Sequence, residues 1–173
     1  MRTKSIIFDR DGIINKIVKR KGIPGSPRKK HEFIFHNEIF EIIKILKKKK
    51  YKIFVFTNQP DLARGQLSEE NHKYFIDLIY EKLEVDDLFF CPHDDNDNCQ
   101  CRKPKPGMLI KIEKKWNISR SNSIVIGDTL KDIDAGKKFG SKTILVKRDY
   151  NHGVKADYEV NRLSDIIKVI EQI

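Results

Sequence analysis

Five short apolar runs, alternating with helical patterns, constrain the fold of this chain more than any other feature. The runs are Ile6 to Phe8, Ile53 to Phe56, Leu88 to Phe90, Ile124 to Ile126 and Thr143 to Val146. Each is bounded by turn signals and has the length of a buried strand rather than of a core helix. Between them, Ile39, Phe40, Ile42, Ile43 and Leu46 recur at spacings of three and four. Phe75, Leu78, Ile79 and Leu83 do the same after Ser68, which suits an N-cap. Pro106 to Trp116, Leu130 to Phe139 ahead of Gly140, and Leu163 to Ile170 supply three more helices. Such alternation predicts an α/β fold: a Rossmann-like parallel sheet with helices on both faces and ligands at the carboxyl ends of the strands.

At 173 residues the chain has the size of one domain, residues 1–173. There is no room for a large cap domain. The interval from Gly12 to Thr57 holds one helix and one loop, and that from Asn58 to Asp128 holds a helix, a strand and a cysteine-rich loop. The segment Lys16 to His36, with Gly22, Pro24, Gly25 and Pro27 among many basic residues, predicts a long loop after the first strand.

Charge enters where partners are concerned. Lys and Arg number 35 against 25 Asp and Glu, a net +10, and 39% of residues are hydrophobic, which excludes a disordered chain. The basic residues raise the possibility of a nucleic-acid partner. They are scattered over helices and loops without aromatic stacking platforms, however, so the charge reads as background. At the amino terminus only Ile6, Ile7 and Phe8 stand together between charged residues, which is too short for an export signal. No run approaches the roughly 20 apolar residues of a membrane span. The expected setting is cytoplasmic, with no membrane partner and a monomeric state.

The chemistry concentrates at strand ends. The first strand runs into Asp9-Arg10-Asp11-Gly12, and period-two alternation sends Asp9 and Asp11 to the same side. Two converging carboxylates repel unless a cation or proton intervenes, which suggests a Mg²⁺ site with one carboxylate free to attack and the other to carry a proton. The strand Ile53 to Phe56 runs into Thr57-Asn58, small polar groups suited to a phosphoryl oxygen. Arg102-Lys103-Pro104-Lys105-Pro106 comes later, and Gly127-Asp128-Thr129-Leu130-Lys131-Asp132 follows Ile124 to Ile126.

The cysteines form a separate signal. Cys91, Cys99 and Cys101 are the only three in the chain, and His93 lies among them. Three thiolates and one imidazole at this spacing match a closed tetrahedral zinc site within a loop spanning residues 91–101; the alternative is a set of reduced, buried thiols. A closed site is structural, and its ligation would pin the loop that carries Arg102 and Lys103.

Taken together, the four strand-end segments resemble the haloacid dehalogenase superfamily of phosphohydrolases, whose motifs are a strand with Asp-x-Asp, a strand ending in Thr or Ser, a Lys often followed by Pro, and Gly-Asp-x-x-x-Asp. The resemblance runs from about Ser5 to Val146. It implies that Asp9 is the nucleophile forming an aspartyl-phosphate and that Asp11 is the general acid and base. It also implies that Thr57 and Lys103 hold the phosphoryl group and that Mg²⁺ binds to Asp9, the backbone carbonyl of Asp11, and Asp128. Asp132 either orients the groups around the metal or supplies charge at a helix N-terminus.

Cys-Pro-His, Cys-x-Cys-Arg-Lys-Pro and Pro-Gly-Met resemble the zinc-containing D,D-heptose 1,7-bisphosphate phosphatases and the related histidinol-phosphate phosphatases. Thr57-Asn58-Gln59, Ala63-Arg64-Gly65 and Pro106-Gly107-Met108 are more similar to the heptose members. The chain departs from them at Ile13, where they usually carry Thr, and at Thr129, where they often carry Lys. The resemblance implies a small-molecule sugar phosphate substrate in the carbohydrate metabolism that leads to lipopolysaccharide precursors, Mg²⁺ and Zn²⁺ as cofactors, and Asn58, Arg64 and Arg102 as substrate-binding residues. Polynucleotide 3′-phosphatases share the superfamily's motifs and form the more distant alternative. His31, His36, His72 and His152 lack partners at ligand spacing and are expected on the surface or in packing, and Trp116 in the core.

Overall fold

A computed structural model describes residues 3–173. Met1 and Arg2, the start of the expected 1–173 domain and of the segment read for export, lie outside the described residues. Six strands form one sheet in the order β5-β4-β1-β6-β7-β8, every neighbouring pair parallel: β1 (Thr3–Asp9), β4 (Lys52–Asn58), β5 (Asp87–Cys91), β6 (Ile118–Gly127), β7 (Lys142–Val146) and β8 (Tyr158–Val160). The five expected strands are present, and β8 is the addition; at three residues it is too short to stand out as an apolar run.

Burial on both faces explains why these strands read as continuous apolar runs rather than as alternation. Ile6 and Phe8 of β1 face a core shared with α1 (Glu38–Lys48), α3 (Glu69–Lys82) and α6 (Ile166–Glu171). Ile7 between them faces the other layer, with α4 (Gly107–Trp116) and α5 (Leu130–Phe139). Helix stripes meet these faces through Ile39, Ile42, Ile43 and Leu46 on one side and Met108, Leu109 and Ile112 on the other. Ser68 caps α3 by accepting from Asn71 N, and Gly140 ends α5 in the left-handed region at φ 89°. Trp116 is half-buried, its ring tilted against Phe54 while its indole N–H donates to Asp87 at 2.8 Å.

The long loop expected from Lys16 to His36 is partly regular. It contains a hairpin of β2 (Val18–Arg20) and β3 (Ile23–Gly25), reversing through Lys21 and Gly22 at positive φ, and a 3-10 turn over Lys30–Glu32. A further short helix, α2 (Pro60–Ala63), follows β4. Sheet order reverses at β1, since the chain moves outward through β4 and β5 and then returns to lay β6 on the other side of β1. The crevice at that switch point lies above the carboxyl ends of β1, β4 and β6.

Candidate active site

Asp9 ends β1, Thr57 and Asn58 end β4, and Gly127 ends β6 next to Asp128, so parallel register alone brings three distant segments to one edge. They line a cavity of about 460 Å³ together with Asp11, Arg64, Arg102 and Lys103. Lys103 comes from the loop after the cysteine cluster and is almost sealed from solvent. Its Nζ donates to Asp9 Oδ1 at 2.7 Å and to Asp132 Oδ1 at 2.6 Å, and stands 4.2 Å from the Phe56 ring centroid.

Asn58 clamps the backbone of that lysine. Its Nδ2 donates to Lys103 O at 3.1 Å and its Oδ1 accepts from Lys103 N at 3.0 Å. The amide expected to bind substrate thus holds Lys103 in place with both of its polar ends. Thr57 Oγ1 accepts from Gln59 Nε2 at 2.8 Å, which leaves its hydroxyl proton free for an incoming oxygen.

Asp9 and Asp11 both line this cavity, the side to which alternation sends them, and the Asp11 charge bears on Asp9. The carboxylates that close on one another are those of Asp9, Asp128 and Asp132, whose oxygens lie within 4.8 Å. Asp11 faces the same cavity but is held by donors: Arg10 Nε and Nη2 at 3.0–3.1 Å, Asn15 Nδ2 at 2.9 Å, Ser26 Oγ at 2.8 Å and Gln59 Nε2 at 2.9 Å. Burial alone would raise Asp11, yet Arg10 and these hydrogen bonds outweigh it and hold the carboxyl below its ordinary range. Arg10 is itself buried, and its Nη2 also donates to Gln59 Oε1 at 2.9 Å.

Asp9 is driven the other way, mainly by burial and by Asp132; burial also pushes Asp128 up to about 7. Asp128 Oδ2 accepts from the Tyr150 hydroxyl, its backbone carbonyl accepts from Asn151 Nδ2 at 2.8 Å, and its Oδ1 is buried with no hydrogen-bond partner. Gly12, at φ 94°, lets the chain after β1 pass close to this carboxylate, because a Cβ there would sit 1.9 Å from Asp128 Oδ2. An orphaned buried oxygen inside a crowded carboxylate cluster is a fitting environment for a hard dication, so these residues suit Mg²⁺. Asp132 is engaged on both oxygens: one takes Lys103, the other accepts from Thr129 N at 3.0 Å and from Thr129 Oγ1, capping α5.

Cys91, His93, Cys99 and Cys101 also come together, their ligand atoms within 4.8 Å of one another. The sulfurs stand 3.1–3.6 Å apart, and His93 Nδ1 lies 3.5 Å from Cys91 Sγ and 3.3 Å from Cys101 Sγ. Zn–S bonds of about 2.3 Å give tetrahedral edges of about 3.8 Å, so the donor set fits a zinc ion. Burial, with the neighbouring thiols, pushes Cys91 up to about 12, the penalty a bound cation would relieve.

The arginines expected to bind substrate line the cavity with acidic partners. Arg64 pairs with Asp94 through Nε at 2.7 Å and Nη2 at 2.5 Å, and Arg102 donates from Nε to Asp95 at 2.7 Å and from Nη1 to His93 O at 3.1 Å. Sequence reading missed Arg10, Gln59, Ser26 and Tyr150, and also Arg28, which lines the cavity and donates from Nε to Asp61 Oδ2 at 2.7 Å. Arg10 and Gln59 sit inside motifs already singled out, whereas nothing local marks Ser26, Arg28 or Tyr150.

This doubly wound sheet, with three crowded buried carboxylates and a buried Lys at its switch point, defines a phosphatase of the haloacid dehalogenase type. The family model described as polynucleotide kinase 3 phosphatase matches residues 4–162. A D-glycero-alpha-D-manno-heptose-1,7-bisphosphate 7-phosphatase of Campylobacter jejuni is 35% identical over 159 residues, covering 88% of each chain. A D-glycero-beta-D-manno-heptose-1,7-bisphosphate 7-phosphatase of Helicobacter pylori is 36% identical over 139 residues, 77% of each. Among solved structures, the D,D-heptose 1,7-bisphosphate phosphatase of B. bronchiseptica, complexed with magnesium and phosphate, superposes with a TM-score of 0.82 at 25% identity, over 98% of this chain and 99% of that one. The chain belongs to the haloacid dehalogenase family of phosphatases that this model describes and to which these heptose bisphosphate phosphatases also belong. No helix among the described residues is long and apolar enough to cross a membrane.

Proposed function

We propose that the protein is a Mg²⁺-dependent phosphomonoesterase that removes the 7-phosphate of D-glycero-D-manno-heptose 1,7-bisphosphate through an aspartyl-phosphate on Asp9. The observation that carries the chemistry is the position of Asp9: a buried carboxylate at the floor of the cavity, 2.7 Å from Lys103 Nζ, with Thr57 on the adjoining strand.

The Asp9 carboxylate attacks phosphorus while Lys103 and the Thr57 hydroxyl take up charge on the phosphoryl oxygens. Asp11 gives a proton to the leaving sugar oxygen and later takes one from the water that cleaves the acyl-phosphate. Its donor cradle keeps Asp11 ionised in the free protein, and the negative charge of an adjacent phosphate raises its proton affinity, so protonation accompanies substrate binding. Asp9, Asp128 and the backbone carbonyl of Asp11 would hold Mg²⁺, which when bound neutralises phosphoryl charge and aligns nucleophile with phosphorus. Cys91, His93, Cys99 and Cys101 would hold a structural Zn²⁺. The sugar reading is supported by the relatives of similar length, whose names include both anomers.

The test is phosphate release from the α and β heptose 1,7-bisphosphates, histidinol phosphate and a 3′-phosphorylated oligonucleotide, with and without Mg²⁺. A Mg²⁺-dependent preference for a heptose bisphosphate, abolished in Asp9→Asn, is expected. Preference for histidinol phosphate or the oligonucleotide overturns the substrate, and near-wild-type turnover by Asp9→Asn overturns the covalent route.

A further inference from the structure

Three cations on the cavity wall come from three different parts of the chain: Arg64 just after α2, Arg102 from the loop after the cysteine cluster, and Lys131 in the first turn of α5. All three converge on a single short turn. Asp94 grips Arg64 with both carboxylate oxygens, at 2.7 and 2.5 Å. Asp95 takes Arg102 Nε at 2.7 Å, with Lys131 Nζ 3.9 Å away. Neither aspartate lines the cavity. Both lie between His93 and Cys99, in the 3-10 turn Asp95–Asp97 and its cap.

The turn is self-supporting. Asp94 N donates to Asp97 Oδ2 at 2.6 Å, and Asp95 N donates to Asp94 Oδ1 at 2.7 Å. The strength of these contacts is not the issue, since exposed pairs add little stability. Orientation is. A free arginine side chain loses rotamer entropy when it is fixed on a ligand, and a carboxylate that fixes the fork beforehand removes much of that loss. Arg102 shows the geometry: Nε and Nη1 are held by Asp95 and His93 O, and Nη2 has no partner among the described residues.

We propose that Asp94 and Asp95 are positioning residues for substrate selection, holding Arg64, Arg102 and Lys131 against the cavity so that it favours a sugar carrying a second phosphate over a sugar monophosphate. The proposal rests on the reading of this cavity as a sugar-phosphate site. Its place within the cysteine cluster explains why a structural metal loop would bear on specificity: the same chain segment supplies the metal ligands and the acids that orient the cations.

The test is calorimetric titration of the zinc- and magnesium-loaded protein, in an Asp9→Asn background that prevents turnover, with fructose 1,6-bisphosphate and fructose 6-phosphate. The expected result is a clear preference for the bisphosphate that falls about 5-fold in Asp94→Asn and in Asp95→Asn, with monophosphate affinity changed less than about 2-fold. Asp94→Glu should recover part of the ratio, which a purely structural role would not produce. An unchanged ratio, or no preference before substitution, overturns the proposal; a raised ratio does too, since the carboxylates would then be competing with the ligand. Zinc content and melting temperature report whether a variant has lost its fold, and Asp95→Asn, on a side chain 65% exposed, keeps the test decisive if Asp94→Asn has. Because binding alone is read, failure of heptose bisphosphate hydrolysis would remove the substrate assignment while leaving this result standing.

Discussion

Lys103 Nζ lies 2.6 Å from Asp132 Oδ1 with both side chains nearly inaccessible to water, so the ammonium facing Asp9 is anchored from behind by a residue that also caps α5. Two acids share one cation, and removing either changes both charge and position. Asp132→Asn is expected to lower kcat on a small aryl phosphate by about 100-fold and to lower the melting temperature by about 5 °C, the combined loss of a buried ionic partner and a cap. Lys103→Met should lower kcat further. Steady-state kinetics with parallel thermal melts read both, and a wild-type kcat in folded Asp132→Asn would contradict the anchoring.

Tyr150 meets Asp128 through a hydrogen bond that orients a carboxylate proposed above to hold Mg²⁺. Tyr150→Phe keeps the ring and deletes that bond. The Mg²⁺ concentration for half-maximal activity should rise about 10-fold, with kcat at saturating Mg²⁺ changed much less. A metal titration checks this, and an unaltered midpoint would leave Tyr150 with no part in metal binding.

The sulfur cluster should carry about one zinc per chain in protein purified without chelators. Cys99→Ser or exhaustive chelation should lower the melting temperature by about 10 °C, because a structural metal contributes several kcal/mol or more to folding. Elemental analysis and thermal melts are the measurements. A metal-free preparation as stable as the untreated protein would favour the alternative of reduced thiols.

His72 is buried against Phe90, and neither ring nitrogen has a hydrogen-bond partner. Burial, with Arg10 nearby, lowers it to about 4, against 6.5 for an unrestrained imidazole. Between these values the unfolded chain binds a proton that the folded chain does not, so stability is full above about pH 6.5 and falls as pH drops towards 4. By pH 5 the loss should be about 1–2 kcal/mol. His72→Leu should remove this component, so that denaturant midpoints of the two proteins separate differently at pH 5 and pH 7.5. Parallel midpoints would show that His72 does not titrate in this way.

Much of the architecture was legible before any coordinates. Helix α1 shows its buried stripe in Ile39, Ile42, Ile43 and Leu46, and Gly140 stops α5 where a left-handed residue was required. The strands were visible because both faces of this sheet are covered. The β2–β3 hairpin was not, since its residues are exposed or half-exposed and carry no apolar periodicity. The donors that hold Asp11 were hidden for a different reason: Ser26 and Gln59 stand 15 and 48 positions away from it.

Local spacing by itself determined the strand-helix order, the clustering of Cys91, His93, Cys99 and Cys101 and the identity of the strand-end acids, because each depends on neighbours within a few residues. Tertiary structure alone decided what those groups do to one another. Lys103 reaches Asp9 across 94 positions, Tyr150 reaches Asp128 across 22, and Asn58 grips the Lys103 backbone across 45. Those distances in sequence carry no periodic signal. They close because parallel pairing brings β1, β4 and β6 to a common edge, where buried charges must find partners or a cation.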